Sequence, residues 1–148
     1  MSEYRASIAW QRGDRAFDYE SYSRDHTWAF DGQPAIDASA APEFRGSAGR
    51  LDPEQALVAA AASCHMLTFL AIAARRRIVI DGYEDDVVGT MEENEEGRLA
   101  VTRIILRPRI TFAGEPPAPE VLAKMHEQAH DNCFIANSVR TRIEIEAG

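Results

Sequence analysis

The sequence predicts an α+β domain in which antiparallel β-sheets surround one long buried central helix and a second, shorter helix. Three observations support this class: stretches that alternate apolar and polar residues, an apolar alanine-rich segment with a clear helix start, and turn signals between them. The chain has 148 residues, of which 45% are hydrophobic and 27% charged, as is usual for one globular domain. We therefore expect a single domain over residues 1–148.

Two strands and a loop are predicted before the first helix. Residues 4–11 alternate and end at the Gly13-Asp14 turn, and the aromatic-rich residues 17–30 end at the hairpin signal Asp31-Gly32. Residues 37–51 are rich in small residues and are predicted as a loop, with room for a third short strand.

The first helix has the clearest start in the sequence. Asp52 is a suitable N-cap, Pro53 suits the first helical position, and Gln55 stands three residues after the cap. The helix is predicted to continue to about residue 76. Its middle, LVAAAASCHMLTFLAIAA, is apolar on every side, which predicts a central position. One sheet from so short a chain covers little of it, so a partner's sheet is expected on its other face.

The second half of the chain is predicted as hairpin, helix and strand. Residues 79–92 and 99–112 form two long strands joined by the acidic turn EENEEG. A helix follows from residue 120 to about 130, with Leu122, Met125 and Ala129 on its buried face. Residues 139–146 alternate cleanly and predict an edge or half-exposed strand.

The charge and the N-terminal residues restrict the partners. A formal charge of −8 and a pI near 5.0 disfavour binding to nucleic acid or to an acidic membrane surface. The first residues lack the basic and apolar stretches of a secretory signal. Polar residues interrupt the apolar segment 56–74, which indicates a buried helix rather than a membrane span. We predict a cytoplasmic protein.

The two cysteines are either buried thiols or a redox couple, because a structural disulfide is rare in a reducing cytoplasm. Cys64 lies in the middle of the first helix, and Cys133 follows the second. A disulfide requires Cβ atoms about 4 Å apart, so the pair is plausible only if both helices pack together.

Two segments resemble the OsmC/Ohr family, named after osmotically inducible protein C and organic hydroperoxide resistance protein. They are DPEQALVAAAASCHM at residues 52–66 and HDNCFIANSV at 130–139. A Pro-Glu pair opens the helix, and the cysteine stands ten residues after the glutamate. The resemblance implies an OsmC-like fold, an intertwined homodimer with active sites at its interface, and thiol-dependent reduction of organic hydroperoxides without a cofactor. The chain departs from the pattern at Phe134, where many members have proline.

The resemblance also implies catalytic roles. Cys64 attacks the peroxide, Cys133 resolves the sulfenic acid, and Glu54 and an arginine orient the attacking sulfur. Arg45 is the favoured arginine, Arg24 the alternative, and Arg15 stands behind both. The implied reductant is a lipoyl-type dithiol.

Helix geometry limits these roles. Cys64 lies too far from the helix N-terminus for the helix dipole to ionise it, which leaves that task to an arginine. Ten helical residues separate Glu54 from Cys64 by about 15 Å. Glu54 therefore acts on Cys64 of the partner subunit, or else it only complements the charge of the helix N-terminus.

Two alternatives involve metal ions. His126 and His130 stand in an HExxH pattern, typical of zinc peptidases, but no third ligand follows at a recognised spacing. Both imidazoles are predicted to face solvent. A second zinc site would combine Cys64 and Cys133 with His65 and His130.

The remaining possibilities concern packing. His26 and Trp28 share a strand face and would either line a pocket or pack across strands. His65 and Phe134 are further pocket candidates beside the cysteines. A third class of function is a non-enzymatic dimeric stress or binding protein in which the cysteines serve only packing.

Overall fold

The computed structural model describes residues 1–146, which form two compact units. The first covers residues 1–56, and the second begins at residue 57. The α+β class is confirmed. The single domain over residues 1–148 stays a prediction, and its last two residues lie outside the described part.

The first unit contains a small antiparallel sheet in the order β1-β2-β3. The strands are β1 (Ser7–Ala9), β2 (His26–Ala29) and β3 (Ile36–Ala38), and a 3₁₀ turn follows at Pro42–Phe44. The long strand predicted for residues 17–30 was wrong in its first half. Asp18 turns the chain there, because its carbonyl accepts the Ser21 N–H at 3.1 Å and its carboxylate accepts the Ser21 hydroxyl at 2.6 Å.

Helix α1 (Pro53–Arg75) agrees closely with its prediction. The Gln55 N–H donates to the Asp52 carboxylate at 2.8 Å, and the Asp52 N–H donates to the Gln55 side chain at 3.2 Å. These reciprocal bonds form a capping box. At its other end the helix is terminated by Arg77, which has a left-handed φ of 60°. The Ile78 N–H donates to the Ala73 carbonyl at 2.9 Å, as in a helix C-cap.

The two sides of α1 differ in burial. Ala61, His65, Phe69 and Ala73 form a buried stripe at a spacing of four residues. Another stripe, Ala59, Ser63, Leu67 and Ala71, is exposed, and Leu67 keeps 61% of its surface open. A single chain thus covers one face of a helix that was predicted to be enclosed. Within residues 1–146, α1 is the one helix whose length and mean hydropathy of 2.0 would permit a membrane span, a test that core helices also pass.

The second unit holds the predicted hairpin, but each long strand is interrupted. The four strands are β4 (Ile80–Asp85), β5 (Val88–Glu93), β6 (Leu99–Leu106) and β7 (Pro108–Phe112). β4 pairs with β7 and β5 with β6, both antiparallel. The break is caused in part by a contact between residues that are distant in the sequence. The Arg107 N–H donates to the Asp85 carboxylate at 2.6 Å, and Pro108 has no N–H to donate.

The final strand corrects the prediction of purely antiparallel sheets. β8 (Arg142–Ile145) lies at the edge of its sheet, as expected, but it runs parallel to β6. Helix α2 (Pro119–Asp131) lies in the long connection that carries the chain back to start β8 in the same direction. Ile143 of β8 packs with Ala61 of α1 in one of the two apolar clusters of this unit.

Helix α2 buries the face that was predicted and one residue more. Met125 and Ala129 are fully buried and pack with Phe69 and Ala73 of α1. His126 is also buried, with 5% of its surface exposed, so the prediction that it faces solvent was wrong. The packing of α1 against α2 in this cluster positions both cysteines.

Candidate active site

The two cysteines lie side by side in the second unit. Cys64 stands directly before the buried His65 of α1, and Cys133 follows the end of α2. Both are free thiols, and their side chains lie next to each other. Cys64 is half-buried, whereas Cys133 is 1% exposed. Hence the two sulfur atoms are close together but unequally accessible from solvent.

One backbone amide donates to the sulfur of Cys133, and a second lies nearby. The Ala136 N–H donates to Sγ at 3.4 Å, and the backbone of Ile135 is the neighbouring amide. Burial, followed by the neighbouring Cys64 thiol, raises the pKa of the Cys133 thiol, and these amides oppose that rise. In the reduced protein Cys133 is therefore held mainly as the thiol.

A buried pair of imidazoles joins α1 to α2. His65 Nε2 and His126 Nδ1 are 3.0 Å apart, and the rings are inclined by only 7° with centroids 5.3 Å apart. This geometry is an edge-to-edge hydrogen bond in a common plane rather than a ring stack. Burial, with the nearby His126 and His130, lowers the pKa of His65 to about 4, and burial also lowers that of His126. Both rings are neutral at pH 7.

The zinc alternatives find no support in this arrangement. The Nδ1 atom of His126 is occupied by His65. Within residues 1–146, no three His, Cys, Asp or Glu side chains converge in a way that could hold a metal ion. The Nδ1 atoms of His65 and His130 are buried without a hydrogen-bond partner in the described part of the chain, but they do not form such a group.

A second feature, in the first unit, is an open cavity of about 620 Å³ that we call the aromatic cavity. Its polar lining includes three residues singled out in the sequence: Arg24, His26 and Glu54. Apolar side chains provide most of the remaining wall, namely Ile8, Trp10, Phe17, Tyr22, Phe44 and Pro53. Glu54 thus shares a cavity with Arg24.

The two candidate arginines are held differently. Arg24 donates to the carbonyls of Tyr22 and Tyr19 at 2.6 and 2.7 Å, and its guanidinium carbon lies 3.6 Å from the centre of the Tyr22 ring. Arg45 has a left-handed φ of 68° and lies 5.1 Å from the Tyr19 ring. Arg45 contacts the same tyrosine as Arg24 but does not line the aromatic cavity.

The four pocket candidates occupy different surroundings. Trp28 donates its indole N–H to His26 Nε2 at 3.1 Å, and His26 Nδ1 donates to the Arg24 carbonyl at 2.8 Å. These bonds fix His26 as the neutral Nδ1–H tautomer in the wall of the aromatic cavity. His65 is 1% exposed, whereas Phe134 is 79% exposed.

Several groups in these arrangements were missed by sequence reasoning. Tyr19 and Tyr22 hold Arg24, and the rings of Trp10, Phe17 and Tyr22 contact one another in pairs. The density of aromatic residues at positions 17–30 was the available signal, but we interpreted it as a strand. The amides that face Cys133 have no sequence signal at all.

Comparison with known proteins identifies relatives of the whole chain. The family model for OsmC-like proteins matches residues 46–148. The structure of an OsmC-like protein of unknown function from Vibrio cholerae is 46% identical, covers 100% of both chains and superposes with a TM-score of 0.95. No significant match is found among curated protein sequences.

Two more distant structures share the fold. An OsmC-like protein from Mycoplasma pneumoniae is 18% identical, covers 99% of this chain and 96% of its own, and has a TM-score of 0.76. An organic hydroperoxide resistance protein from Legionella pneumophila is 16% identical, covers 99% and 97%, and has a TM-score of 0.68. At these identities the likeness concerns the fold alone.

Proposed function

This chain belongs to the OsmC-like protein family, and from that premise we propose that it is a thiol-dependent organic hydroperoxide reductase. The observation that carries the proposal is the contact between Cys64 and Cys133, one half-buried and the other buried. Two thiols 69 residues apart in sequence that lie against each other are poised for a reversible disulfide.

The reaction we propose has three steps. The Cys64 thiolate attacks a peroxide oxygen, the O–O bond breaks, and the alcohol leaves while Cys64 becomes a sulfenic acid. The thiol of Cys133 then attacks that sulfur, which releases water and leaves the Cys64–Cys133 disulfide. A dithiol, for which the resemblance suggests a lipoyl type, reduces the disulfide and is itself oxidised to a cyclic disulfide.

We propose that a homodimer completes the site. Glu54 and Cys64 lie ten residues apart on the unbroken helix α1, a distance of about 15 Å, so Glu54 does not reach the sulfur of its own chain. The exposed stripe of α1 includes Leu67, one turn after Cys64, and would place that sulfur at the solvent-accessible edge of the interface. Glu54 would then serve Cys64 of the partner subunit.

We further propose Arg24 as the activating arginine and keep Arg45 as the alternative. Arg24 shares the aromatic cavity with Glu54, and backbone carbonyls and a tyrosine face hold it in place. A guanidinium that is fixed before the reaction stabilises the thiolate and the departing alkoxide without further ordering.

An organic substrate is supported by the apolar lining of the aromatic cavity. Two structures that share the fold, from Legionella pneumophila and Elizabethkingia anophelis, are named organic hydroperoxide resistance proteins. We extend that activity to this chain as part of the proposal, with a cytoplasmic, antioxidant role in oxidative stress.

The test is turnover with cumene hydroperoxide and with hydrogen peroxide, with dihydrolipoamide as the reductant. We expect faster turnover with the organic peroxide and at least about a thousandfold loss in Cys64→Ser, since no other nucleophile replaces the thiolate. Without the reductant, Cys133→Ser should consume about one equivalent of peroxide and stop at the Cys64 sulfenic acid, with no disulfide formed. Undiminished activity in Cys64→Ser would favour the non-enzymatic stress or binding protein.

A further inference from the structure

The two sulfur atoms of the cysteine pair have unequal access to solvent. Cys133 is 1% exposed, whereas Cys64 is half-buried. Their side chains are in contact, so a disulfide between them would present mainly the sulfur of Cys64 to a reagent from solution. Access decides which sulfur of a disulfide an incoming thiolate attacks.

The two sulfur atoms also differ in their hydrogen-bond donors. The Ala136 N–H donates to Cys133 Sγ at 3.4 Å. Cys64 lies in the middle of α1, where the surrounding N–H groups bond to carbonyls of the helix itself. Amide donors stabilise a thiolate, and a stabilised thiolate is the better leaving group in thiol–disulfide exchange.

Resting on the function proposed above, we propose that the reducing dithiol attacks Cys64, and that Cys133 is the leaving sulfur, stabilised by the N–H group of Ala136. The first thiolate of the reductant bonds to Cys64 Sγ as the Cys64–Cys133 bond breaks, and Cys133 departs with the electron pair. The second thiol then attacks the reductant's own bound sulfur and releases Cys64. The reductant becomes a cyclic disulfide, and its two protons pass to the two cysteines.

The charge on Cys64 affects Cys133 in the reduced protein but not in the step in which Cys133 leaves. In the reduced protein, burial and the adjacent Cys64 disfavour a charge on Cys133. During the leaving step Cys64 is bound to the reductant and carries no charge, so its repulsion is removed. The Ala136 hydrogen bond remains, since its N–H belongs to the backbone after α2.

The direct test traps the mixed disulfide in the wild-type protein. The Cys64–Cys133 disulfide is formed with diamide, so the test does not depend on peroxidase activity. A short exposure to 2-mercaptoethanol is quenched with excess N-ethylmaleimide, and trypsin places Cys64 in peptide 51–75 and Cys133 in peptide 125–140.

We expect the mercaptoethanol adduct on peptide 51–75 and the maleimide on peptide 125–140. This arrangement should exceed the reverse one at least about fivefold, the order that one ordinary hydrogen bond gives. Adducts divided equally, or found mainly on peptide 125–140, would overturn the proposal. This test is independent of the proposed peroxidase function. A protein that does not react with peroxide would contradict that function, but the position of the mercaptoethanol adduct could still be measured.

A pair of variants tests the amide donor. Ala136→Pro removes the N–H, whereas Ala136→Gly keeps it and serves as the matched control. We expect reduction of the disulfide by dithiothreitol to slow about fivefold in Ala136→Pro relative to Ala136→Gly, as for one lost hydrogen bond. Equal rates in two variants with cooperative thermal unfolding would contradict the role of the amide. If Ala136→Pro does not fold, the wild-type adduct map decides.

Discussion

The buried pair of His65 and His126 makes the stability of the fold depend on pH. Burial lowers the pKa of His65 from 6.5 to about 4, so between these values the unfolded chain binds a proton that the folded chain does not. Stability must therefore fall as the pH drops through this window. A lowered pKa of His126 acts in the same direction.

We expect the free energy of unfolding in urea to be about 2 kcal/mol lower at pH 5 than at pH 7, from His65 alone. The double variant His65→Leu/His126→Leu should lose most of this dependence, because it has no imidazole to protonate at either position. The same loss between pH 7 and 5 in the double variant would show that other groups cause it.

The choice between the two arginines is also made at the residue scale. Arg24→Met should lower kcat/KM for cumene hydroperoxide about a hundredfold, the usual effect of removing one fixed electrostatic donor. Arg45→Met should change it by less than about threefold, since Arg45 lies outside the aromatic cavity. Thermal unfolding of both variants checks that the fold is intact. The reverse order of effects would assign the role to Arg45.

The sequence indicated candidate site residues more clearly than it indicated the role of each. Cys64, Cys133 and Glu54 stand in a recognisable pattern, whereas the arginine was chosen only by its nearness to the first helix, which favoured Arg45 over Arg24. Arg24 is distinguished by Tyr19 and Tyr22, whose carbonyls and rings reach it through a turn rather than a strand. Such a contact depends on tertiary structure and leaves no spacing in the sequence.

Among the elements, the end of α1 offers a test of backbone strain. Arg77 adopts a φ of 60°, a conformation that glycine adopts without the penalty of a side chain. Arg77→Gly should raise the free energy of unfolding by about 1 kcal/mol. Arg75→Gly, at the last residue of the helix, should instead lower it, by up to about 1 kcal/mol. Destabilisation by both glycines in urea unfolding would contradict the assigned helix end.

The elements that follow local rules were the predictable ones. The capping box of Asp52 and Gln55 located the start of α1 because both partners lie within one turn. The break between β6 and β7 depends instead on Asp85, 22 residues before the Arg107 N–H that it accepts. The parallel pairing of β8 depends on β6, and alternation of residues cannot indicate the direction of a partner strand.

For the whole molecule, the exposed stripe of α1 predicts the oligomeric state. Leu67 is 61% exposed in the single chain, and a dimer through this stripe would bury it. Leu67→Glu should convert the dimer to a monomer in light scattering, with loss of most peroxidase activity, since a buried unpaired carboxylate costs several kcal/mol. Leu99→Glu, a change at a 64% exposed leucine of β6, is the matched control and should remain dimeric.

An unchanged dimer in Leu67→Glu would show that the exposed stripe is not part of the interface.

The cross-subunit role of Glu54 has its own test, in which Cys64→Ser and Glu54→Ala chains are mixed. Verified heterodimers should recover part of the activity that each parent lacks. No recovery would leave Glu54 with the structural role of complementing the helix N-terminus.

Mass spectrometry of the peroxide-treated protein tests most directly whether peroxide joins Cys64 and Cys133 in a disulfide. Fully reduced protein is mixed with one equivalent of cumene hydroperoxide without oxygen, alkylated and digested. We predict one peptide pair, 51–75 joined to 125–140, formed within seconds in stoichiometric yield. Two alkylated cysteines and unconsumed peroxide would contradict the account.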